Sequence, residues 1–462
     1  MTTRLTFYGA VGTTTGSRFL LETSGKKLLI DCGMFQGAKE SRLQNWKRFP
    51  IPPAEIDAIL LTHAHNDHSG YIPRLCHDGF SKNVHCTHAT EDLCKILLKD
   101  SAKLQEEDAA WANKKGFSKH KPALPLYTTD DAANALELFA PVNYGQELLI
   151  QQNLRVKFKD AGHILGSAMI DVKTTNGRKV LFSGDLGRPN KAVLRDPVQV
   201  YDVDYLILES TYGDRLHDHG SYADELVRII KESLDRGGVL VIPAFSVGRT
   251  QTLLYNIREL EEQGRIPVMP IFVDSPMAID ATRVFEKRIS DLDLSSRLSV
   301  VEGKNIFQPE KVRFCRTRAQ SQEINAIDSN AIVISASGMA TGGRVLHHLA
   351  QRLPDPSNTV LFVGYQARGT RGRAILEGQE YVKVHGRHIP IKAHVETVSG
   401  FSGHADYNEI LAWLMGFNRP PEKTFIVHGD PEASTAMADR IRERFGWDVV
   451  VPKLGESFDL EL

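Results

Sequence analysis

A nine-residue segment, Thr62 to Gly70, carries the densest group of side chains able to bind metal ions. It reads THAHNDHSG and supplies His63, His65, Asp67 and His68. Imidazole and carboxylate groups are ligands that zinc and similar ions take from proteins, and the HxHxDH spacing offers two such sets in one loop. The pattern therefore predicts a site for two neighbouring metal ions. The alternative, a strand end with several surface histidines, does not readily explain so dense a cluster.

Further candidates stand where other apolar segments end. His163 lies in DAGHILGSA, Asp185 in FSGDLG and Glu209 in LESTYGDR, while Asp31 follows the apolar segment KKLLI. Loops at strand ends are common positions for catalytic groups, although single polar residues there are also ordinary. For Asp31, an ordinary turn aspartate is the alternative. Position alone therefore does not decide the role of these residues.

Composition excludes several classes of protein. Hydrophobic residues make up 42% and charged residues 24% of the 462 residues, which is typical of a soluble globular chain and excludes a mostly disordered one. No apolar run reaches the roughly 18 residues of a membrane span, and the N-terminus MTTRLTFYGAVG resembles no export signal, so we expect a cytoplasmic protein. The net charge of -1 gives no global attraction to nucleic acid, so any such contact must use local patches.

The five cysteines argue against two other kinds of site. Their number is odd and none of them forms a CxxC pair, which disfavours both a disulfide framework and a thiolate zinc site. We therefore expect reduced, structural cysteines.

The surrounding elements divide the chain into two kinds of structure. Residues 4–31 read as short strands between glycine turns, and residues 56–62 as a buried strand directly before the metal cluster. The spacing of apolar residues predicts helices from Glu91 to Ala112 and from Thr129 to Phe139. From about Ser221 to about Arg373, strands and helices alternate, which predicts a separate parallel, doubly wound α/β domain.

The order of these residues resembles that of the metallo-β-lactamase superfamily: an early Asp (Asp31), HxHxDH, then a distant His and a distant Asp (His163 and Asp185). The elements LESTYGDR, FSGHAD and VHGD, with an α/β insertion between the first two, are similar to those of the β-CASP nucleases within that superfamily. These include bacterial and archaeal RNA-specific nucleases and the endonuclease subunit of the eukaryotic polyadenylation machinery. The resemblance covers essentially the whole chain.

The resemblance implies an αββα sandwich with an inserted doubly wound α/β domain. Residues 1–209 and 391–462 would form the metallo-β-lactamase domain, and residues 210–390 the β-CASP domain. The active site would lie in the cleft between the two domains.

The resemblance also assigns a role to each candidate residue. The first metal would be held by His63, His65 and His163, the second by Asp67, His68 and His428, and Asp185 would bridge them. The ions would be two Zn²⁺, with Mn²⁺ as the alternative. Asp31 would orient a ligand histidine, His404 would act as general acid and Glu209 would orient it. A His at the position of His428 is associated in this family with RNA substrates.

The implied function is hydrolysis of RNA phosphodiester bonds by metal-activated water, endonucleolytic, 5'-exonucleolytic or both, leaving 5'-phosphate and 3'-hydroxyl ends. RNA is the expected partner, with a homodimer or an RNA-processing complex as further assemblies and no membrane. The alternatives are a DNA-directed β-CASP nuclease, a non-catalytic scaffold and a small-molecule hydrolase.

Two loops of the α/β domain are candidate phosphate contacts. PAFSVGRTQ (243–251) and SASGMATGGR (335–344) join strands to helices, and backbone N–H groups at helix N-termini attract phosphate. The candidate residues are Ser246, Arg249, Ser337 and Arg344. Basic residues at 311–320 and 365–373 are further candidates for an RNA path. The alternatives are turns needed only for folding and a solvated surface.

The remaining histidines are predicted to be surface or core residues. Those considered are His217, His219, His347, His348, His385 and His388.

Overall fold

A computed structural model describes residues 3–116, 118–151, 154–174, 176–217, 221–366 and 369–461. His219 and Arg368, the latter in the basic segment 365–373, lie outside these described residues. The described chain forms two compact units. Unit 1 comprises 1–190, 195–216 and 404–462, and unit 2 comprises 191–194 and 217–403.

The strands, numbered along the chain, are β1 (Thr3–Phe7), β2 (Phe19–Thr23), β3 (Lys26–Ile30), β4 (Ala58–Leu60), β5 (Val84–Thr87), β6 (Phe139–Val142), β7 (Glu147–Gln151), β8 (Leu154–Asp160), β9 (Ala168–Lys173), β10 (Lys179–Phe182), β11 (Tyr205–Glu209), β12 (Val239–Pro243), β13 (Ile271–Asp274), β14 (Val312–Phe314), β15 (Ala331–Ser335), β16 (Thr359–Phe362), β17 (Tyr381–Val384), β18 (Arg387–Pro390), β19 (His394–Thr397), β20 (Lys423–Val427), β21 (Val449–Val450) and β22 (Ser457–Leu460).

The α-helices are α1 (Lys39–Leu43), α2 (Asn66–Ser69), α3 (Ile72–His77), α4 (His88–Lys115), α5 (Thr129–Leu136), α6 (Tyr222–Asp235), α7 (Arg249–Glu262), α8 (Pro276–Lys287), α9 (Leu294–Val301), α10 (Arg318–Glu323), α11 (Val345–Arg352), α12 (Arg371–Leu376), α13 (Tyr407–Leu414) and α14 (Pro431–Phe445). Short 3₁₀ turns lie at Gln44–Trp46, Pro53–Glu55, Ile289–Asp291, Ile324–Ala326 and Ser399–Phe401.

Unit 1 is a sandwich of two sheets. In the described residues, each sheet has seven strands, in the orders β22-β1-β2-β3-β4-β5-β6 and β21-β20-β11-β10-β9-β8-β7. Alternate residues of facing strands, such as Leu28 and Ile30 of β3 and Phe158 of β8, enter one buried core. This follows from the two-residue period of a strand, which sends every second side chain to the same face.

Helices cover the outer faces of the sandwich. Helix α4 contacts β5 and β6, and α14 contacts β20 and β21. The apolar faces of α13 and α14, for example Leu411 and Met437, pack against Leu206 and Ile426 of the second sheet. The order helix, sheet, sheet, helix confirms the predicted αββα fold.

Unit 2 has a parallel sheet in the order β14-β13-β15-β12-β16-β19, which is six-stranded among the described residues, and a β17–β18 hairpin. Val239 and Val241 of β12 pack in a core with Val345 and Leu349 of α11. Leu240 is also buried and points to the opposite face, as strand periodicity requires. Helices therefore cover a sheet buried on both faces, and the predicted α/β insertion is confirmed.

One predicted element ends early. The helix expected from Thr129 to Phe139 stops at Leu136, and Phe139 begins β6. Phe139 pairs with Val84 of β5 in a parallel ladder. Helical spacing continues locally, but sheet pairing with a strand 55 positions earlier decides the conformation.

Within the described ranges, we find no helix that is both long enough and apolar enough to cross a membrane.

Candidate metal centre

The carboxyl ends of parallel strands bring distant polar residues to one edge of unit 1. In the first sheet β3 and β4 are parallel, with Ile30 opposite Leu60, so Asp31 and the THAHNDH segment follow neighbouring strands. In the second sheet β10, β11 and β20 are parallel and are followed or ended by Asp185, Glu209 and His428. Topology therefore gathers residues that are far apart in the sequence.

His163 reaches the same edge from the turn between β8 and β9. The side chain of Ser167 fixes this turn, because its Oγ accepts a hydrogen bond from the His163 backbone N–H at 3.0 Å. The backbone N–H of Ala168 donates to the carbonyl of Thr62 at 2.8 Å. This hydrogen bond ties the turn directly to the loop that carries the histidine cluster.

The first cluster consists of His63, His65, His163 and one oxygen of Asp185. The distances are 3.1 Å from His63 Nε2 to His65 Nδ1 and 3.3 Å from His65 Nδ1 to His163 Nε2. Asp185 Oδ2 lies 3.4 Å from both His63 Nε2 and His163 Nε2. Ligands at about 2.0–2.1 Å in a tetrahedron are about 3.3–3.4 Å apart. The spacing and donor types fit one zinc ion.

The second cluster consists of Asp67, His68 and His428. His428 Nε2 lies 3.1 Å from His68 Nε2 and 3.5 Å from Asp67 Oδ2. Asp185 Oδ1 is 3.3 Å from His68 Nε2, and no group in the described part of the chain donates a hydrogen bond to this buried oxygen. A buried carboxylate oxygen normally has a partner. The two oxygens of Asp185 thus face the two clusters, an arrangement that fits two ions bridged by this residue.

Electrostatics keeps most of these groups in their ligating form. Burial lowers the pKa of His63 well below its usual value and that of His65 to about 4, so both rings are neutral at pH 7. Burial would raise the pKa of Asp67 and Asp185. The neighbouring histidines outweigh it, lowering the pKa of Asp67 to about 2 and that of Asp185 well below its usual range. Both carboxylates are therefore ionised.

His68 is the exception. Burial lowers its pKa, but Asp185 and Asp31 outweigh this effect and raise the pKa well above its usual value. A metal ion bound by this ring would displace its proton, so we expect metal binding to release protons.

Asp31 lies against the side of the His68 ring that faces away from the cluster. Its Oδ2 lies 2.7 Å from His68 Nδ1, the ring nitrogen opposite the one that faces the cluster. Its carboxylate also accepts hydrogen bonds from the backbone N–H and the hydroxyl of Thr62, at 2.7 and 2.9 Å. Such a partner fixes the tautomer and orientation of a metal-binding histidine.

Two threonines were missed by the sequence reasoning. Thr62 Oγ1 lies 3.0 Å from His63 Nδ1, and Thr211 Oγ1 lies 3.1 Å from His428 Nδ1. Each lies within or beside a motif, but threonine is ordinary there. Thr62 directly precedes His63 in the sequence, whereas only the register of β11 and β20 brings the Thr211 hydroxyl to the His428 ring. A threonine flanking a ligand histidine at a strand end was the available signal.

Two residues of this site also have strained backbone conformations. Asp31 and His428 both adopt left-handed backbone conformations, with φ of 58° and 51°. Residues other than glycine rarely take this conformation, and it costs free energy that surrounding contacts must offset. For His428, one such contact is the hydrogen bond from its N–H to the carbonyl of Ala10 at 2.7 Å.

His404 lies beside the first cluster and is paired with Glu209. Its Nδ1 is 3.1 Å from Glu209 Oε1 and 3.9 Å from Asp185 Oδ2. Glu209 is fully buried and accepts backbone hydrogen bonds from Leu186 at 2.6 Å and Thr211 at 3.2 Å. Burial lowers the pKa of His404, but Glu209 and Asp185 outweigh it and raise the pKa to about 9. The carboxylate of Glu209 is thus fixed in place to hold an imidazolium.

The predicted phosphate contacts all belong to unit 2. Ser246 Oγ is buried and lies 3.3 Å from Ser275 Oγ, and Arg249 is the first residue of α7. Ser337 Oγ accepts a hydrogen bond from the N–H of Thr341 at 3.0 Å.

Arg344, the fourth predicted contact, has several protein partners. It donates to Asp274 Oδ1 at 2.8 Å and to the carbonyls of Cys315 and Arg316 at 2.9 and 2.7 Å. Its guanidinium therefore also supports the fold of unit 2.

Three family models together match most of the chain. Residues 11–236 match the metallo-beta-lactamase superfamily, residues 250–375 the Beta-Casp domain, and residues 388–452 a Zn-dependent metallo-hydrolase RNA specificity domain. The last match contains both His404 and His428.

Curated relatives match this chain over most of its length. The chain is 36% identical to Ribonuclease TTHA0252 of Thermus thermophilus, covering 98% of this chain and 99% of the relative. It is 31% identical to an RNase J-like protein of Methanocaldococcus jannaschii, covering 94% of both. It is also 31% identical to the transcription termination factor FttA of that organism, covering 97% of this chain and 70% of the relative.

A solved structure shows the fold alone. A crystal structure of a protein of unknown function from Enterococcus faecalis V583 aligns over 100% of both chains with a TM-score of 0.57 and 11% identity.

Proposed function

The chain belongs to the β-CASP family of the metallo-β-lactamase superfamily, and from that membership we propose that it is a zinc-dependent ribonuclease. It would hydrolyse RNA phosphodiester bonds with water activated by two ions and leave 5'-phosphate and 3'-hydroxyl ends. One observation carries the proposal. Two metal-type clusters face the two oxygens of Asp185, and a buried carboxylate holds His404 beside them.

The chain's residues fit two zinc ions. His63, His65, His163 and Asp185 would hold one, and Asp67, His68, His428 and Asp185 the other. Bound zinc would lower the pKa of a water molecule and neutralise charge on the phosphate. The matched description "Zn-dependent metallo-hydrolase" supports zinc over Mn²⁺.

The proposed role of His404 follows from its geometry. With Nδ1 directed at Glu209, Nε2 is the second proton-bearing nitrogen of the imidazolium. A leaving 3' oxygen needs a proton, and His404 Nε2 would donate it. Glu209 would hold the ring in place through Nδ1, because its own carboxylate is fixed by two backbone N–H groups. Asp67, with a side chain 22% exposed, would bind metal where substrate can approach.

RNA is favoured over DNA by two observations. The matched RNA specificity domain spans residues 388–452, and curated relatives include proteins named as ribonucleases. We also propose that Ser246, Arg249, Ser337 and Arg344 contact the RNA backbone. The support is their position in loops that join strands to helices of a doubly wound sheet, where ligands commonly bind.

We place the enzyme in the cytoplasm, as a homodimer or as part of an RNA-processing complex. All five cysteines are free thiols, which supports a reducing compartment.

A panel of substrates tests the proposed function. Purified protein is incubated with single-stranded RNA, single-stranded DNA of the same sequence and a generic ester, each with and without chelator. We expect chelator-sensitive hydrolysis of RNA, recovery upon addition of zinc, and product ends that a ligase accepts as 5'-phosphate and 3'-hydroxyl. Preferred cleavage of DNA would indicate the DNA-directed alternative, and absence of cleavage would indicate a scaffold.

A further inference from the structure

A basic segment with an exposed tryptophan follows Asp31 in unit 1. This segment, the basic platform, is defined as residues Lys39 to Arg48. Trp46 is 53% exposed, and Arg42, Lys47 and Arg48 are exposed. No ion pair joins these cations to an acidic group in the described ranges. Four cations, Lys39, Arg42, Lys47 and Arg48, thus share this solvent-facing segment with an exposed indole and one acidic residue, Glu40, and none of the four pairs with an acidic group in the described ranges.

The basic platform is attached to the metal-binding loop. The side chain of Asn45 makes two hydrogen bonds with the backbone of Phe35, at 2.8 and 2.9 Å. The N–H of Met34 donates to the carbonyl of Asn66 at 2.9 Å, and Asn66 precedes the ligand Asp67. The Asn45 side chain and one backbone hydrogen bond thus connect the segment that carries Trp46 to the residue before Asp67.

A buried arginine fixes this connection. The Arg18 guanidinium lies 3.9 Å from the ring centre of Tyr71 and 4.9 Å from that of Phe35. It donates to the carbonyl of Gly33 at 2.9 Å and to Asn45 Oδ1 at 3.2 Å. A buried cation held by aromatic faces and carbonyl oxygens gives a rigid support. The platform is therefore positioned by the core rather than by its own short helix.

We infer that the basic platform binds single-stranded RNA next to the metal centre, with Trp46 stacking on a base and Arg42, Lys47 and Arg48 contacting phosphates. The inference rests on the proposed function, because it takes the substrate to be RNA. Scattered exposed apolar residues are normal on proteins and need no explanation. An exposed indole among unpaired cations, anchored to a centre built for phosphate chemistry, is the combination that binds single-stranded nucleic acid.

Trp111 provides a matched control. It is 54% exposed, nearly the same fraction as Trp46, and Lys115 Nζ lies 4.9 Å from its ring centre. Helix α4 begins at His88, and Thr87 before it bonds the carbonyl of Gly166 in the His163 turn. At 1.5 Å per residue, Trp111 is about 35 Å along the helix from that end. Trp111 therefore matches Trp46 in exposure and has a neighbouring cation, but it lies in a different part of the fold.

The test measures RNA affinity of the zinc-loaded full chain. A labelled single-stranded oligoribonucleotide is titrated with protein in a His404→Ala background and followed by fluorescence anisotropy. Because stacking on an aromatic side chain is lost, we expect Trp46→Ala to raise Kd at least about fivefold. We expect Trp46→Phe to recover most of the affinity, and Trp111→Ala to bind as the parent does. Equal affinities of the Trp46→Ala and Trp111→Ala proteins would overturn the inference.

The cations are tested through salt dependence. A phosphate contact to a single strand contributes about 0.7 to the slope of log Kd against log salt concentration. Lys47→Ala and Arg48→Ala should each reduce the slope by about that amount, whereas Lys115→Ala should not change it. Unchanged slopes for both platform variants would show that Lys47 and Arg48 do not contact phosphates.

Failure of the inference is distinguishable from failure of the proposed function. If the wild-type protein hydrolyses RNA while Trp46→Ala leaves KM and Kd unchanged, the platform inference alone is wrong. If the wild-type protein binds RNA through Trp46 and does not hydrolyse it, the nuclease proposal alone is wrong.

Discussion

Replacing His404 with alanine separates proton donation from metal binding. His404 contacts Glu209 through Nδ1; it forms a group with Glu209 and Asp185 and is not one of the donors in the two clusters that face the two oxygens of Asp185. His404→Ala should therefore leave zinc content unchanged, while removing the proposed proton donor for the leaving 3' oxygen. General acid catalysis contributes about 10²–10⁴-fold to rate, so the activation free energy should rise by about 3–5 kcal/mol.

The assay compares two leaving groups. Turnover is measured on RNA and on bis(p-nitrophenyl) phosphate, whose leaving group departs as a stable anion and has little need of a proton. We expect the full loss on RNA and a much smaller loss on the nitrophenyl ester. Equal losses on both substrates, or loss of zinc in elemental analysis, would refute the role of general acid. Normal turnover of RNA by the His404→Ala protein would show that His404 takes no part in the reaction.

Three further substitutions test residues that hold the metal clusters of unit 1 and the sheet of unit 2 in place. Asp31→Asn should weaken zinc binding about 10–100-fold in competition with a chromophoric chelator, because it removes the carboxylate that orients His68; unchanged affinity would contradict this role. Gly33→Ala should reduce zinc content, since an added Cβ would lie 1.6 Å from the carbonyl oxygen of Asp67, and normal loading would show that the loop can move. Burial alone would raise the pKa of Asp274, but hydrogen bonds from neighbouring groups outweigh burial and lower this pKa. The ionised carboxylate therefore stabilises the fold above its unfolded-state pKa of about 3.9. This stabilisation is lost as the pH falls through the folded-state pKa. Asp274→Asn should therefore speed hydrogen exchange in β13 and β15 at pH 7, with a difference in opening free energy that shrinks in acid; a difference independent of pH would contradict this reasoning.

The fold could be predicted largely from periodicity and resemblance. The alternating strands and helices of β12 to α8 follow from local patterns, because a parallel sheet buried on both faces leaves continuous apolar runs. The boundary at Phe139 could not be predicted, because pairing with Val84 overrides a helical pattern. The order of strands within each sheet was likewise beyond local sequence patterns.

The residues of the candidate site also differ in how far the sequence alone predicts them. His63, His65, Asp67 and His68 are recognisable because they are contiguous. His163, Asp185 and His428 were assigned only through family resemblance, and the structure brings them to the same edge. The pairing of Thr211 with His428 depends on the register of β11 and β20, which no sequence signal gives.

The buried network of unit 2 is another feature that local patterns miss. His348 was expected to be an ordinary surface or core residue. Its Nε2 lies 2.8 Å from Asp274 Oδ2, which also accepts a hydrogen bond from Ser321 at 2.6 Å. Such a network forms only when β13, α10 and α11 pack together.

Zinc titration of the metal-free protein, with RNA hydrolysis measured at each step, determines whether hydrolysis requires both of the ions that Asp185 would bridge. The rate should reach its maximum at two equivalents of bound zinc per chain, and His428→Ala should bind only one ion tightly. Full activity at one equivalent, or hydrolysis that persists in the metal-free protein, would show that two ions are not required.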